Sequence, residues 1–120
     1  MVDTLLYYNP KINYTYTIVD LENPSLLQRK YLDRLGVEYV TCVTSTDYKK
    51  NVSYDLCIST YTIGEIPLDI QNEYVENIIN NCKSAYMLWN VSPINSSLIE
   101  KVTVSPESPV ITQSNKTVVF

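Results

Sequence analysis

Apolar residues follow two different spacings along this chain. Short runs rich in β-branched and aromatic residues predict strands, whereas apolar residues three and four positions apart predict helices. The predicted strands cover residues 14–19, 38–44, 54–59, 85–89, 101–104 and 116–120. The predicted helices cover residues 2–9, 24–35, 67–82 and 95–100.

The helix predicted after the first strand has the strongest signals. Asn23 is a suitable N-cap, and Pro24 suits the first helical position because its missing N–H has no partner there. Gly36 ends the helix at a position that favours a left-handed residue. Apolar residues recur between these limits and predict one stripe, formed by Leu27, Tyr31, Leu32 and Leu35.

Strands that alternate with helices predict an α/β fold. Such connections require crossovers, so we expect a mostly parallel sheet with helices on both faces. The last two strands are separated by the polar segment 105–115 and predict an antiparallel hairpin at the end of the sheet. A chain of 120 residues is large enough for one hydrophobic core but not for two, so we expect a single domain that covers residues 1–120.

Charge and hydropathy limit the partners that we expect. The net charge is −4, which argues against a nucleic-acid groove because such grooves need a basic stripe. No apolar run approaches the roughly 20 residues that span a bilayer. The acidic start, Met1-Val2-Asp3, differs from a secretory signal, so we expect a cytoplasmic protein without membrane contact.

The chain has no histidine, and this absence limits its chemistry. Ser-His-Asp and Cys-His hydrolysis are excluded, so catalysis would depend on carboxylates, on tyrosine or on positioning alone. The three cysteines lie in separate apolar segments and are expected to be free thiols rather than metal ligands. We therefore predict no metal site.

Polar residues follow two of the predicted strands at their carboxyl ends. The run 17–20 ends on Asp20, and the stretch 54–66 ends in a polar loop that contains Gly64. Such ends form ligand crevices in open α/β sheets, usually around a glycine-rich turn. The only other glycine is Gly36, which is too distant in sequence to form that turn with Gly64.

With these segments, the chain resembles the Rossmann-like S-adenosylmethionine-dependent methyltransferases, and most closely the bacterial putative sugar O-methyltransferases. Residues 16–21 (Tyr-Thr-Ile-Val-Asp-Leu) resemble the second strand of that fold, and residues 54–66 resemble its fourth strand and the following loop. Residues 71–90 resemble the next helix and fifth strand, and residues 116–120 the seventh strand. The resemblance implies an incomplete Rossmann-like methyltransferase sheet and methyl transfer to a sugar-type hydroxyl.

The resemblance also implies roles for individual residues around S-adenosylmethionine. Asp20 would accept hydrogen bonds from the ribose hydroxyls, with Glu22 as a weaker alternate, and Asp47 would contact the adenine amine. Ser59 and Thr60 would line the cofactor crevice. Simpler interpretations remain open: Asp20 as a solvated acid at a strand end, and Asp47 as an ordinary turn residue.

Three further residues would serve the reaction itself. Glu65 would act as a general base or hold a sugar hydroxyl, although it could instead favour the N-terminus of the next helix. Tyr61 would pack against cofactor or substrate, although a packing role in the fold is as plausible. Asn90 would face the substrate from the end of the fifth strand.

The chain departs from the family pattern at its beginning. The first strand and glycine-rich turn, which hold the methionine part of the cofactor, have no counterpart. The strands on either side could then pair directly, a second chain or a missing N-terminal segment could complete the sheet, or the chain could be a fragment. We expect that this chain alone does not catalyse the transfer; the rival expectation is a non-catalytic α/β interaction module.

Overall fold

The computed structural model describes residue 13 and residues 15–120, which divide into two compact units after Tyr48. The first unit contains strand β1 (Tyr16–Asp20), helix α1 (Glu22–Arg34) and strand β2 (Val40–Thr44). The second unit contains β3 (Tyr54–Thr60), α2 (Thr62–Glu65), α3 (Leu68–Asn77), a 3₁₀ turn (Ile79–Asn81), β4 (Cys82–Trp89), α4 (Ser96–Ile99), β5 (Thr103–Pro106) and β6 (Lys116–Val119). The helix predicted over residues 2–9 lies outside the described residues.

In the first unit, β1 and β2 are parallel, in a register that pairs Tyr16 with Val40 and Asp20 with Thr44. Parallel neighbours cannot be joined by a tight turn, and α1 provides the crossover. Both strands therefore end at the same edge of this two-stranded sheet, with Asp20 as the last residue of β1.

The start of α1 differs from the prediction. The helix begins at Glu22, with Leu21 rather than Asn23 as its N-cap, and Pro24 occupies the third helical position. Proline is tolerated there because the N–H groups of the first turn have no partner within the helix. The predicted end is confirmed, since Gly36 adopts a left-handed φ of 67° directly after Leu35.

The apolar stripe predicted for α1 does not face the sheet. Leu27, Tyr31 and Leu35 are all more than half exposed, and Leu32 alone of the four is half-buried. The buried residue of α1 is Ser25, whose hydroxyl donates to the Val43 carbonyl oxygen at 2.9 Å. The spacing of apolar residues identifies one face of a helix, but it does not say which surface that face contacts.

In the second unit, four strands form one mixed sheet in the order β3-β4-β6-β5. β3 and β4 are parallel, and β6 runs antiparallel to both β4 and β5. The predicted α/β class and the antiparallel hairpin near the end of the chain are therefore confirmed. The prediction of a mostly parallel sheet is wrong for this unit, because two of its three strand pairings are antiparallel.

Alternate residues of β4 build the core of this sheet. Ala85, Met87 and Trp89 are at most 3% exposed, whereas Tyr86 on the opposite face is 42% exposed, as the twofold period of a strand requires. The buried cluster consists of Ile63, Val75, Ile79, Ala85, Met87, Trp89, Leu98 and Val118. Of the inward face predicted for the helix after Pro67, Val75 and Ile79 are buried, but Ile70 is 38% exposed and Cys82 belongs to β4.

Candidate functional site

Two non-glycine residues with left-handed backbone angles follow the parallel strands β3 and β4. Tyr61 comes directly after β3 with a φ of 64°, and Val91 follows β4 by one intervening residue with a φ of 58°. Aromatic and β-branched residues rarely adopt positive φ, and such strain concentrates at functional sites. The carboxyl edge of this strand pair is therefore the candidate site of the second unit.

The turn around Val91 is held by buried side chains. The Ser92 N–H donates to the Asn90 carbonyl oxygen at 2.6 Å, which places Val91 at the centre of a three-residue turn. The Trp89 indole N–H donates to the Ser92 carbonyl oxygen at 3.0 Å, and the Gln71 amide donates to the Ser92 hydroxyl at 3.3 Å. Because Trp89 and Gln71 are almost fully buried, their hydrogen bonds to Ser92 attach the strained turn to the core of the unit.

Helix α2 approaches Asn90 closely through Gly64. A Cβ atom at Gly64 would lie 2.4 Å from the Asn90 carbonyl oxygen, so no larger residue fits there without movement. One residue further, the Asn90 amide donates to the Glu65 carboxylate at 2.7 Å. Glu65 therefore faces the end of β4. Helix α3 begins at Leu68, and its N-cap residue Pro67 is accompanied by no side-chain capping hydrogen bond.

The hydroxyl of Tyr61 is engaged by a buried carboxylate. It donates to one oxygen of Glu107, and the Asn115 amide donates to the other oxygen at 2.9 Å. Glu107 and Asn115 are 5% and 8% exposed. The hydrogen bond from Tyr61 is the main cause that lowers the pKa of Glu107, and the hydrogen bond from Asn115 is the next. The bond between Tyr61 and Glu107 also raises the pKa of Tyr61.

Two buried polar atoms at this edge lack a hydrogen-bond partner within the described structure. They are the hydroxyl oxygen of Ser59 and the side-chain carbonyl oxygen of Asn90. Thr60, the last residue of β3, is exposed. Buried polar groups are normally paired, so these two atoms are exceptions within the described structure.

Asp20 lies at the carboxyl edge of the first unit's sheet. One carboxylate oxygen accepts from the Leu21 N–H at 2.8 Å, and the other accepts from the Gln28 amide at 2.8 Å. A carboxylate can accept about four hydrogen bonds, so two positions remain. The side-chain oxygen of Gln28 is buried and has no partner among the described residues.

Asp47 is part of the turn after β2. Its N–H donates to the Thr44 carbonyl oxygen at 3.1 Å, and its carboxylate accepts from the Thr44 hydroxyl at 2.7 Å. These bonds are those of an ordinary turn aspartate, although the exposed carboxylate keeps capacity for another donor. Glu22 is the first residue of α1 and is exposed.

The site residues predicted from the sequence thus form two groups, one in each unit. Asp20, Glu22 and Asp47 lie near the carboxyl edge of the β1–β2 pair, whereas Ser59, Thr60, Tyr61, Glu65 and Asn90 lie near that of the β3–β4 pair. The structure adds Gln28, Gln71, Glu107 and Asn115, which sequence reasoning missed. The polar composition of 105–115 was the one available signal, since no spacing connects Glu107 with Tyr61.

No protein-family model, curated protein or solved structure matches this chain. Within the described residues, no group of three potential metal ligands occurs, and no helix is long and apolar enough to cross a membrane. An exposed carboxylate held by an amide, as Glu65 is by Asn90, can accept a hydrogen bond or a proton from a hydroxylated molecule.

Proposed function

We propose that this chain carries part of an S-adenosylmethionine-dependent O-methyltransferase domain that transfers a methyl group to a sugar-type hydroxyl. The supporting observation is the placement of Glu65, Tyr61 and Asn90 at the carboxyl edge of a parallel strand pair, where α/β enzymes bind ligands. The antiparallel finish of the sheet agrees with what the resemblance implies.

The residues of the first unit fit the adenosine part of the cofactor. Asp20 retains acceptor positions for the two ribose hydroxyls, because its carboxylate accepts two hydrogen bonds within the fold. Asp47 is exposed at the same edge and would accept from the adenine amine. Each contact uses a carboxylate or amide oxygen that is not saturated within the fold.

The methionine part of the cofactor lacks the glycine-rich turn that the resemblance implies. Gly64 lies against Asn90 and Gly36 ends α1, so neither glycine belongs to a turn that would admit a carboxylate. The complete domain therefore needs a second chain or a preceding segment to supply a strand and glycine-rich turn. When bound, S-adenosylmethionine would provide an electrophilic methyl group.

Glu65 is the proposed general base. Its carboxylate is exposed and oriented by the Asn90 amide, so it can accept the proton of a bound hydroxyl. Asn90 would face the acceptor from the end of β4, and Tyr61 would form one wall. Most of the rate enhancement would come from positioning the two reactants, which requires no histidine.

The proposal is tested by supplying the missing part. A strand and glycine-rich turn from a sugar O-methyltransferase are fused before Met1, and release of S-adenosylhomocysteine is measured with a panel of sugars. We expect turnover in the fusion and none in the chain alone. Glu65→Gln should lower turnover by roughly 10²–10⁴-fold, with Glu76→Gln, an exposed glutamate of α3, as the matched control. Turnover that is unaffected by Glu65→Gln, or absent with every sugar, would contradict the proposal.

A further inference from the structure

Helix α1 exposes a row of large apolar side chains, Leu27, Tyr31 and Leu35, which we call the α1 stripe. Their exposed fractions are 69%, 62% and 56%. Residues four positions apart lie on one face of a helix, so the three side chains form a continuous row along α1 and its C-cap. Isolated exposed apolar residues are ordinary, whereas a contiguous row on one face marks an interaction surface.

The α1 stripe is not used to pack α1 onto its own sheet. The opposite face of the helix makes that contact through polar groups. Ser25 donates to the Val43 carbonyl oxygen at 2.9 Å, and Arg29 donates to the Val40 carbonyl oxygen at 3.1 Å. The crossover between β1 and β2 is therefore secured without the stripe, which leaves these apolar side chains available for contacts outside the unit.

Two cations lie along one flank of the α1 stripe. Lys30 and Arg34 are exposed and four positions apart, and neither forms an ion pair with another described residue. Arg29, by contrast, pairs with Asp33 at 3.1 Å. A positive flank on a chain with a net charge of −4 is a local feature, and it indicates a partner with negative charge.

We propose that the α1 stripe docks an acidic amphipathic helix of a partner protein. Such a helix would place apolar residues, spaced by three or four, against Leu27 and Tyr31. Its carboxylates would lie opposite Lys30 and Arg34. Helix-on-helix docking of this kind uses apolar anchors for affinity and flanking charges for orientation. The inference is independent of the proposed methyl transfer, because it uses only the outer face of α1.

The charges also argue against two other occupants. In an antiparallel contact with a second copy of α1, the basic flank of one helix would lie beside the same flank of the other, and like charges oppose such pairing. Segments that bind anionic membranes carry clusters of about 4–8 basic residues, whereas this flank has Lys30 and Arg34 alone.

The test uses the full chain and two labelled synthetic peptides. Both are amphipathic helices with the same leucine positions, one flanked by glutamate and the other by lysine, and binding is followed by fluorescence anisotropy. We expect the acidic peptide to bind at least roughly tenfold more tightly than the basic peptide, with affinity falling as salt is added. The double variant Lys30→Glu/Arg34→Glu should reverse this preference, whereas Lys116→Glu in the second unit should leave it unchanged.

Apolar contact is tested with Leu27→Asp, which should abolish binding of both peptides. Equal binding of the two peptides, or binding that survives Leu27→Asp, would overturn the proposal. Concentration-dependent sedimentation that is lost in Leu27→Asp would assign the stripe to a second copy. Binding to anionic vesicles but not to the acidic peptide would assign it to a membrane. A large loss of thermal stability in Leu27→Asp would show that the stripe is covered within the chain itself.

Discussion

At the scale of single residues, the second unit depends on a hydrogen-bonded group that joins distant parts of the chain. Tyr61, with its left-handed backbone, donates to Glu107, and Glu107 accepts also from Asn115. The loop between β5 and β6 is thereby attached to the turn after β3. This attachment restrains the side chain of Tyr61 as well as the backbone that leads to Glu65.

The first prediction concerns the dependence of stability on pH. Hydrogen bonds from Tyr61 and Asn115 lower the pKa of Glu107 from its ordinary value of 4.5. Because the folded state favours the ionised carboxylate, Glu107 stabilises the fold at pH values above its ordinary pKa. This stabilisation is lost as the pH falls through the lower pKa of the folded state. The midpoint of urea denaturation should therefore fall as the pH is lowered from about 7 to about 3.

Glu107→Gln and Tyr61→Phe are the variants that examine this prediction. Each should be less stable than the parent chain near neutral pH and should lose less stability on acidification. Asp55→Asn is the control, because Asp55 forms an exposed ion pair with Lys83 that contributes little. A parent chain and a Glu107→Gln variant with the same pH profile would show that this carboxylate does not stabilise the fold.

A second prediction concerns Gly64. Replacement by alanine would place a Cβ atom 2.4 Å from the Asn90 carbonyl oxygen, so α2 or the end of β4 must move. We expect a loss of about 1–3 kcal/mol in the free energy of unfolding. Urea titration followed by fluorescence of Trp89, the single tryptophan of the chain, reports on the second unit.

Gly36→Ala separates crowding from backbone strain. Gly36 has a φ of 67°, but a Cβ atom there would meet nothing within 4 Å. We expect the left-handed conformation alone to lower the free energy of unfolding by about 1 kcal/mol. Circular dichroism is used to follow unfolding because Gly36 lies in the first unit, away from Trp89. If Gly64→Ala proves neutral, the close approach of α2 to Asn90 is not required for the fold.

Residues at strand ends could be placed from the sequence, but their partners could not. Asp20 and Asn90 follow apolar runs, and those runs identify the strand and its end. Glu107 was missed because its partner Tyr61 is 46 positions away and no local pattern relates them. Gln28 was missed because a polar residue on a helix is usually solvated, whereas here it lies against Asp20.

At the scale of elements, α1 shows why a helical period is an incomplete guide. The spacing of apolar residues predicted the helix, and Gly36 predicted where the helix ends. The period did not identify the face that packs on the sheet. Ser25 and Arg29 reach the carbonyl oxygens of β2, while Leu27 and Leu35 remain exposed. In β4, by contrast, the strand period of two predicts burial well, since Ala85, Met87 and Trp89 all enter the core.

The third prediction tests this inverted packing of α1. Ser25→Ala removes the donor to the Val43 carbonyl oxygen and should cost about 0.5–1.5 kcal/mol of unfolding free energy. Leu27→Ala removes a much larger side chain from an exposed position and should change it by less than about 0.5 kcal/mol. Urea denaturation followed by far-ultraviolet circular dichroism compares the two. A larger loss in Leu27→Ala would show that the stripe, not Ser25, secures the helix.

At the scale of the whole molecule, the sequence predicted an α/β chain with a late antiparallel hairpin, and the structure has both. It could not predict how the strands divide between sheets, because pairing between distant strands depends on the complete set of strands available. β1 is paired with β2 alone and β3 with β4 alone, so each has one edge without a partner in the described sheets. An unpaired strand edge can accept a further strand through its free backbone groups.

The proposed division of labour makes a specific prediction about ligands. Asp20 is assigned to the ribose, and the described residues offer no glycine-rich turn for the methionine part. Adenosine and S-adenosylhomocysteine should therefore bind this chain with similar affinity. 2′-Deoxyadenosine, which lacks one of the two hydroxyls, should bind about five- to tenfold more weakly.

The measurement that examines this account most directly is an NMR titration of the chain with adenosine, 2′-deoxyadenosine and S-adenosylhomocysteine, repeated with Asp20→Asn. Asp33→Asn on the exposed side of α1 is the control. The account predicts shifts at residues around Asp20 and Asp47 with adenosine, weaker binding of the deoxy compound, and loss of both in Asp20→Asn. Equal binding of adenosine and 2′-deoxyadenosine, or unchanged binding in Asp20→Asn, would contradict the assignment of Asp20 and with it the proposed methyltransferase origin of the site.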